Sequence, residues 1–219
     1  MSFKSEIYKQ FASALTYPDE EVRKTVNQMQ NLLDNDYPGA SEMMAEFFEF
    51  AKSISIWKWE EIFTRTFDVQ AISTLDIGYT LFGDDYKRGE LLANLNREHN
   101  KAGNDCSTEL ADHLPNVLNL LSKHDDNEFK NDLVGLIIIP ALNKIIDEFE
   151  STNIDKKNKV YQKHHRTIIQ QEKKYGTVYQ SILKALLIVL NTDFGRDVNN
   201  SADGSNFKTE FAKEMELPE

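Results

Sequence analysis

The sequence predicts an all-α fold, a single globular helical domain of roughly eight to ten helices of ordinary length. Three observations carry that reading. Apolar residues recur at three- and four-residue spacings almost without a break from Phe3 to Leu190. No stretch shows the period-two alternation of a half-buried strand. Clusters of Pro, Gly and Asp interrupt the pattern at intervals that suit helices.

Phe3, Ile7, Phe11 and Leu15 form the first stripe, which Tyr17-Pro18-Asp19 ends. Asp19 is placed to cap a second helix carrying Val22, Val26, Met29 and Leu33, closed by Asp36-Tyr37-Pro38-Gly39. Ser41 is the expected start of a third, with Met44, Phe47, Phe48, Ala51 and Ile54 on its buried face. Trp59, Ile62, Phe63 and Phe67 make a fourth, aromatic stripe that reads as core. After Gly83-Asp84-Asp85, Leu91, Leu92 and Leu95 mark a helix stopping near Gly103, a residue suited to a helix C-terminus. A Leu-rich helix follows Pro115. Phe129 to Phe149 is one long pattern with Pro140 inside it, where the missing N–H predicts a kink or break. Ile182, Leu183, Leu186, Leu187 and Leu190 form the last apolar helix, preceded by Tyr175-Gly176. Residues 1–192 are therefore expected to form the helical domain. Residues 193–219 read as a polar tail, in which Phe207, Phe211 and Met215 supply at most a turn or two of amphipathic helix.

A chain of 219 residues with 40% hydrophobic content can bury a substantial core in one domain. Its formal net charge of -11 argues against nucleic acid or an anionic membrane surface as main partner, because both demand clustered Lys and Arg. The charge is uneven. Seven basic residues against two acids give +5 between Asp155 and Lys174, so the remainder carries -16. The single cysteine, Cys106, excludes an intramolecular disulfide and any multi-cysteine metal site. The opening residues lack the apolar core of a secretory signal, so a cytoplasmic protein is expected. The longest apolar run, Leu133 to Leu142, is about half the length that spans a bilayer, and membrane insertion is not expected.

Catalytic signatures are missing. There is no Gly-x-x-x-x-Gly-Lys phosphate loop, no Gly-x-Gly-x-x-Gly turn and no His-Glu-x-x-His or paired Glu-x-x-His metal motif. His164 and His165 are adjacent and diverge by about 100° on a helix, a poor arrangement for holding one metal. Cys106 reads as a weakly reactive thiol. The chain is accordingly expected not to be an enzyme and to need no cofactor or metal of its own.

One stretch carries a motif. Leu75-Asp-Ile-Gly-Tyr79-Thr-Leu-Phe82-Gly-Asp-Asp-Tyr-Lys-Arg88-Gly89-Glu leads, about twenty residues on, to Glu109-Leu-Ala-Asp112-His113-Leu114-Pro115 and the Leu-rich helix. The pairing of a Gly-x-x-x-x-Arg-Gly turn with an Asp-His-Leu-Pro block resembles the NarJ/TorD family of chaperones that assemble molybdenum enzymes, in its nitrate reductase delta-subunit-like branch. The resemblance is closest from about Trp59 to Leu121. It departs from TorD-like members at Tyr79-Thr-Leu81-Phe82, one residue shorter than their Tyr-x-x-Leu-Phe element. It implies a helical chaperone, monomeric or a weak homodimer, that holds the apo catalytic subunit of a molybdenum oxidoreductase through its N-terminal segment. The implied client-binding residues are Asp112, His113, Leu114 and Pro115, with Tyr79, Phe82 and Arg88.

The same residues also admit a purely structural reading. Asp112 can be the N-cap of the next helix, Pro115 can sit in its first turn, and Leu114, Leu118 and Leu121 can bury one face. Arg88 can pair with Asp84 or Asp85 while Gly89 permits close packing. Two other functions stay open from the residues alone. One is a general helical adaptor. The other is a metal-dependent enzyme using Asp112, His113 and Glu109, the last two spaced to share a helix face.

Overall fold

Residues 5–151, 153, 154, 157 and 176–195 are described by the computed structural model. Helix α1 (Ser5–Ala14) buries Ile7, Tyr8 and Phe11 and packs on α7 (Leu114–Lys123) and α2 (Glu20–Asp36). Asp19 caps α2 as expected, its carboxylate accepting a hydrogen bond from the Val22 amide at 2.8 Å. Helix α3 (Pro38–Ser53) starts three residues earlier than Ser41. Pro38 occupies its first turn, where the missing donor costs nothing and φ is already helical, and the Ser41 hydroxyl is spent on the Asp34 carboxylate instead. Ser55 caps α4 (Ile56–Phe67).

Short α5 (Ile77–Phe82) ends at Gly83, whose φ of 63° lies in the left-handed region that favours glycine. Asp85 caps α6 (Tyr86–Lys101), which stops just before Gly103. Beyond α7, α8 (Asn127–Asp132) passes through a π-helical turn (Leu133–Ile138) into α9 (Ile139–Glu148). The break expected at Pro140 is thus a π turn directly upstream, and the rod continues. Widening the turn displaces the carbonyl that the proline ring would otherwise strike, and absorbs the absent donor. Helix α10 (Val178–Phe194) packs against α3 and α9 and ends at left-handed Gly195.

Counting α8 to α9 as one rod, the described residues form nine helices and no strand, the all-α architecture that the periodicity predicts. None of these helices is long and apolar enough to cross a membrane. The aromatic stripe of α4 is core: the Trp59 indole N–H donates to the Tyr179 hydroxyl at 2.8 Å, with Phe47, Phe50, Phe63 and Phe67 edge-on around the pair. Arg23 closes this end of the core. Its guanidinium donates to the Ala51 and Ile54 carbonyls at the end of α3 and lies 5.6 Å over the Trp59 ring.

The boundary expected at residue 192 is displaced, because α10 runs on to Phe194. Asp193 there accepts hydrogen bonds at 2.7 Å from both the Tyr8 and Tyr37 hydroxyls, fastening the last helix to α1 and to the turn between α2 and α3. The basic stretch apart from Lys157, with His164 and His165, lies outside the described residues, as do Phe207, Phe211 and Met215.

Candidate functional site

The two sequence blocks meet in space. The segment entering α5 and the segment entering α7 lie antiparallel, with the Ile77 amide donating to the Asp112 carbonyl at 3.0 Å and the Leu114 amide to the Leu75 carbonyl at 2.8 Å. Across this bridge runs a chain of charged side chains. Arg88, from the first turn of α6, donates from Nε to Asp112 Oδ2 at 2.9 Å and from Nη2 to Asp76 Oδ2 at 3.0 Å. His113 donates from Nδ1 to the other Asp76 oxygen at 3.1 Å. The guanidinium also lies 5.3 Å over the Tyr79 ring.

Burial sorts these residues by what they can do. Asp112 is 0% exposed, so it neither rims a groove nor caps α7; the N-cap is His113, whose side chain makes no capping bond. Leu114 and Pro115 are likewise buried, Pro115 in the first turn as expected. These three expected contact residues hold the site together from within. Arg88 pairs with Asp76 and Asp112 rather than with Asp84 or Asp85, which lie at the exposed turn before it. Tyr79 is exposed and Phe82 half-buried against the core, both on a helix rather than in the expected loop. His113 is half-buried at the surface end of the chain, 18% of its side chain accessible.

The electrostatics follow from this geometry. The hydrogen bond from His113 holds the Asp76 carboxyl below its ordinary range, with the charges of His113 and Arg88 adding to it against the effect of burial. Burial works against the charge on Arg88, but its bonds to Asp112 and Asp76 outweigh this and the guanidinium is held more firmly protonated. Nearby, burial pushes the Asp68 carboxyl up, the charge of Glu109 adds to the rise, and His113 offsets part of it. Asp68, Glu109 and His113 therefore share one neighbourhood, together with exposed Val69 and Leu110.

Two residues here escape the sequence reading. Asp76 occupies the N-cap position of α5 but makes no capping bond, since its carboxylate is taken by Arg88 and His113. An Asp at a helix start was a visible signal for it. Gly78 is the second: a Cβ there would lie 2.5 Å from Asp112 Oδ2 and 3.0 Å from Leu91, whereas one on Gly89 would meet nothing within 4 Å. Gly78, and not Gly89, is the glycine that close packing demands.

A second buried network supports the loop between α6 and α7. His99 Nε2–H donates to the Ala111 carbonyl at 3.0 Å, and its Nδ1 accepts from the Asn104 amide at 2.9 Å, which fixes a neutral imidazole. Burial accordingly lowers its pKa. Asn116 closes the same loop onto the Cys106 and Leu110 carbonyls. Burial and the charge of Asp105 push the Cys106 thiol up, away from the reactive thiolate.

The metal reading loses its geometric basis, because Glu109 precedes α7 and shares no helix face with His113. Among the described residues, no group of three or more His, Cys, Asp or Glu side chains is placed to hold a metal ion. No family model matches this chain, and neither does any curated protein.

Proposed function

We propose that this protein is a cytoplasmic, non-enzymatic assembly chaperone that binds the catalytic subunit of a molybdopterin-dependent oxidoreductase of nitrate-reductase type. It holds that subunit by its N-terminal segment until cofactor is inserted. The observation carrying the reading is that Arg88 of one motif block and Asp112 of the other, 24 residues apart, form a single ion pair that braces an exposed face. A purely structural helix start needs no such partner. That face presents Tyr79, Val69 and Leu110 among Asp68, Asp76 and Glu109, a combination suited to an amphipathic, basic client segment. The NarJ/TorD-like spacing of the two blocks supplies the identity of the client.

Affinity purification of the tagged full chain from its native host tests this reading. The expected outcome is co-purification of the large subunit of a molybdenum oxidoreductase, lost at high salt and in a Tyr79→Ala, Leu110→Ala double variant that melts like the parent. Recovery of unrelated proteins alone would replace the proposal with the general adaptor.

A further inference from the structure

The three described histidines differ in one respect. Both ring nitrogens of His99 are engaged, by Ala111 and Asn104. Both of His124 are engaged too, Nε2 with Glu98 at 3.1 Å and Nδ1 accepting from the Asp126 amide at 3.2 Å. His113 alone among them leaves a nitrogen open: Nδ1 is bound to Asp76, and Nε2 has no partner among the described residues. An imidazole pinned on one nitrogen by a carboxylate has its tautomer and ring orientation set from outside, and its other nitrogen is displayed in a fixed direction. Here the carboxylate is itself held, by Arg88, and Arg88 by fully buried Asp112.

We infer that His113 Nε2 is the atom that reads the client, accepting a hydrogen bond from a cationic N–H donor, and that Asp112, Arg88 and Asp76 are positioning residues acting through it. The inference rests on the client-binding reading above and specifies which atom of that face makes contact. Three carboxylates surround the ring: Asp76 is bonded to it, while Asp68 and Glu109 are near it and paired with no cation among the described residues. A lysine or arginine side chain brought to Nε2 would find both of these unpaired charges beside it, which is why the occupant is cationic and not an acid or a hydroxyl. Because Nδ1 carries its proton toward Asp76, the neutral ring offers a lone pair at Nε2 and nothing else.

The experiment needs no client for its first half. Imidazole nitrogen resonances of the labelled full chain, recorded at about pH 9 where an ordinary histidine is neutral, should show His113 protonated at Nδ1 and bare at Nε2. The opposite tautomer overturns the inference. In Asp76→Ala and Arg88→Gln, His113 should move toward the Nε2–H form; should Arg88→Gln fail to fold, Arg88→Lys keeps the charge while losing the forked geometry and takes its place. An unchanged tautomer in these variants, with only the melting temperature lowered, leaves a structural role alone and sinks the relay. The second half uses the captured molybdenum-enzyme subunit. Glutamine can place a polar atom near the position of Nε2 and asparagine cannot, so His113→Gln should keep most of the affinity while His113→Asn loses about tenfold, the equivalent of one charge-assisted hydrogen bond. Asparagine binding as well as glutamine refutes Nε2 as the contact. If the parent captures no such subunit, the proposed function fails, and the tautomer experiment still decides the relay.

Discussion

Replacing Gly78 by alanine should destabilise this protein, against the usual sign for a helical glycine. In a helix, Gly→Ala gains about 0.5–1 kcal/mol from backbone entropy. Here the new methyl would sit 2.5 Å from Asp112 Oδ2 and 3.0 Å from a Leu91 methyl, both inside any tolerated contact. The Asp112 side chain is 0% exposed and is held by Arg88, so it has no free direction in which to yield. Overpacking alone costs about 1–3 kcal/mol. Prising a buried carboxylate from its only cation approaches the further loss of about 3 kcal/mol seen when such pairs are broken. Subtracting the entropy gain leaves a net loss of about 2–4 kcal/mol. At about 2–4 °C per kcal/mol for a chain of this size, melting should fall by roughly 5–15 °C. Gly89→Ala is the matched control, since nothing lies within 4 Å of the position its new methyl would take and the same substitution should raise stability by up to about 1 kcal/mol. Urea denaturation followed by circular dichroism measures both. If Gly78→Ala proves as stable as the parent, the close approach of α5 to Asp112 is wrong.

Arg88→Met should cost about 3 kcal/mol by stranding Asp112, and Arg88→Met combined with Asp112→Leu should be less damaging than the single change, which a double-mutant cycle in urea would show. Removing Asp193 as Asp193→Ala should cost about 2–3 kcal/mol, because two phenol hydroxyls lose a charged acceptor; unchanged melting would separate α10 from Tyr8 and Tyr37. The lowered pKa of buried His99 means that the unfolded chain binds more protons than the folded one around its titration. Its contribution is therefore fully present above the ordinary histidine value of about 6.5 and is lost as pH falls from there toward the folded value. Unfolding free energy should decline from pH 7 to 5, and His99→Gln should flatten that slope; an equal slope in the variant refutes the assignment.

Much of the fold was legible because helix periodicity, an Asp before an apolar run and a Gly after one are local signals. Asp19, Gly103 and Pro115 all stand where those rules place them. The site was half legible. Asp112 was misassigned because an acid preceding Leu-Pro looks the same whether it caps the helix or pairs with a cation 24 residues back. Only the tertiary contact decides, and Arg88 offered nearer acids at 84 and 85 as decoys. Gly78 and Gly89 are likewise indistinguishable in sequence, both lying within helical pattern; what separates them is the distance to Asp112. Asp193 read as the first residue of a polar tail, since the two tyrosines that bind it come from the opposite end of the chain.

The buried Arg88–Asp112 pair is better understood as a positional device than as a source of stability. Taking both charges from water consumes most of what their attraction returns, and an apolar pair of equal volume would hold the helices at least as firmly. What an apolar pair would lack is direction. Helix α5 spans six residues, less than two turns, too short to fix its own orientation. Its placement comes instead from the backbone bridge at Asp76 and His113, from Gly78 lying against Asp112, and from the forked guanidinium that fits two carboxylates in one plane. The Tyr79 ring is stacked on that same guanidinium, and His113 hangs from the same Asp76. A rotation of α5 would thus break the ion pairs before it moved either exposed side chain, and the two groups that meet solvent are held in fixed relation by residues that never do.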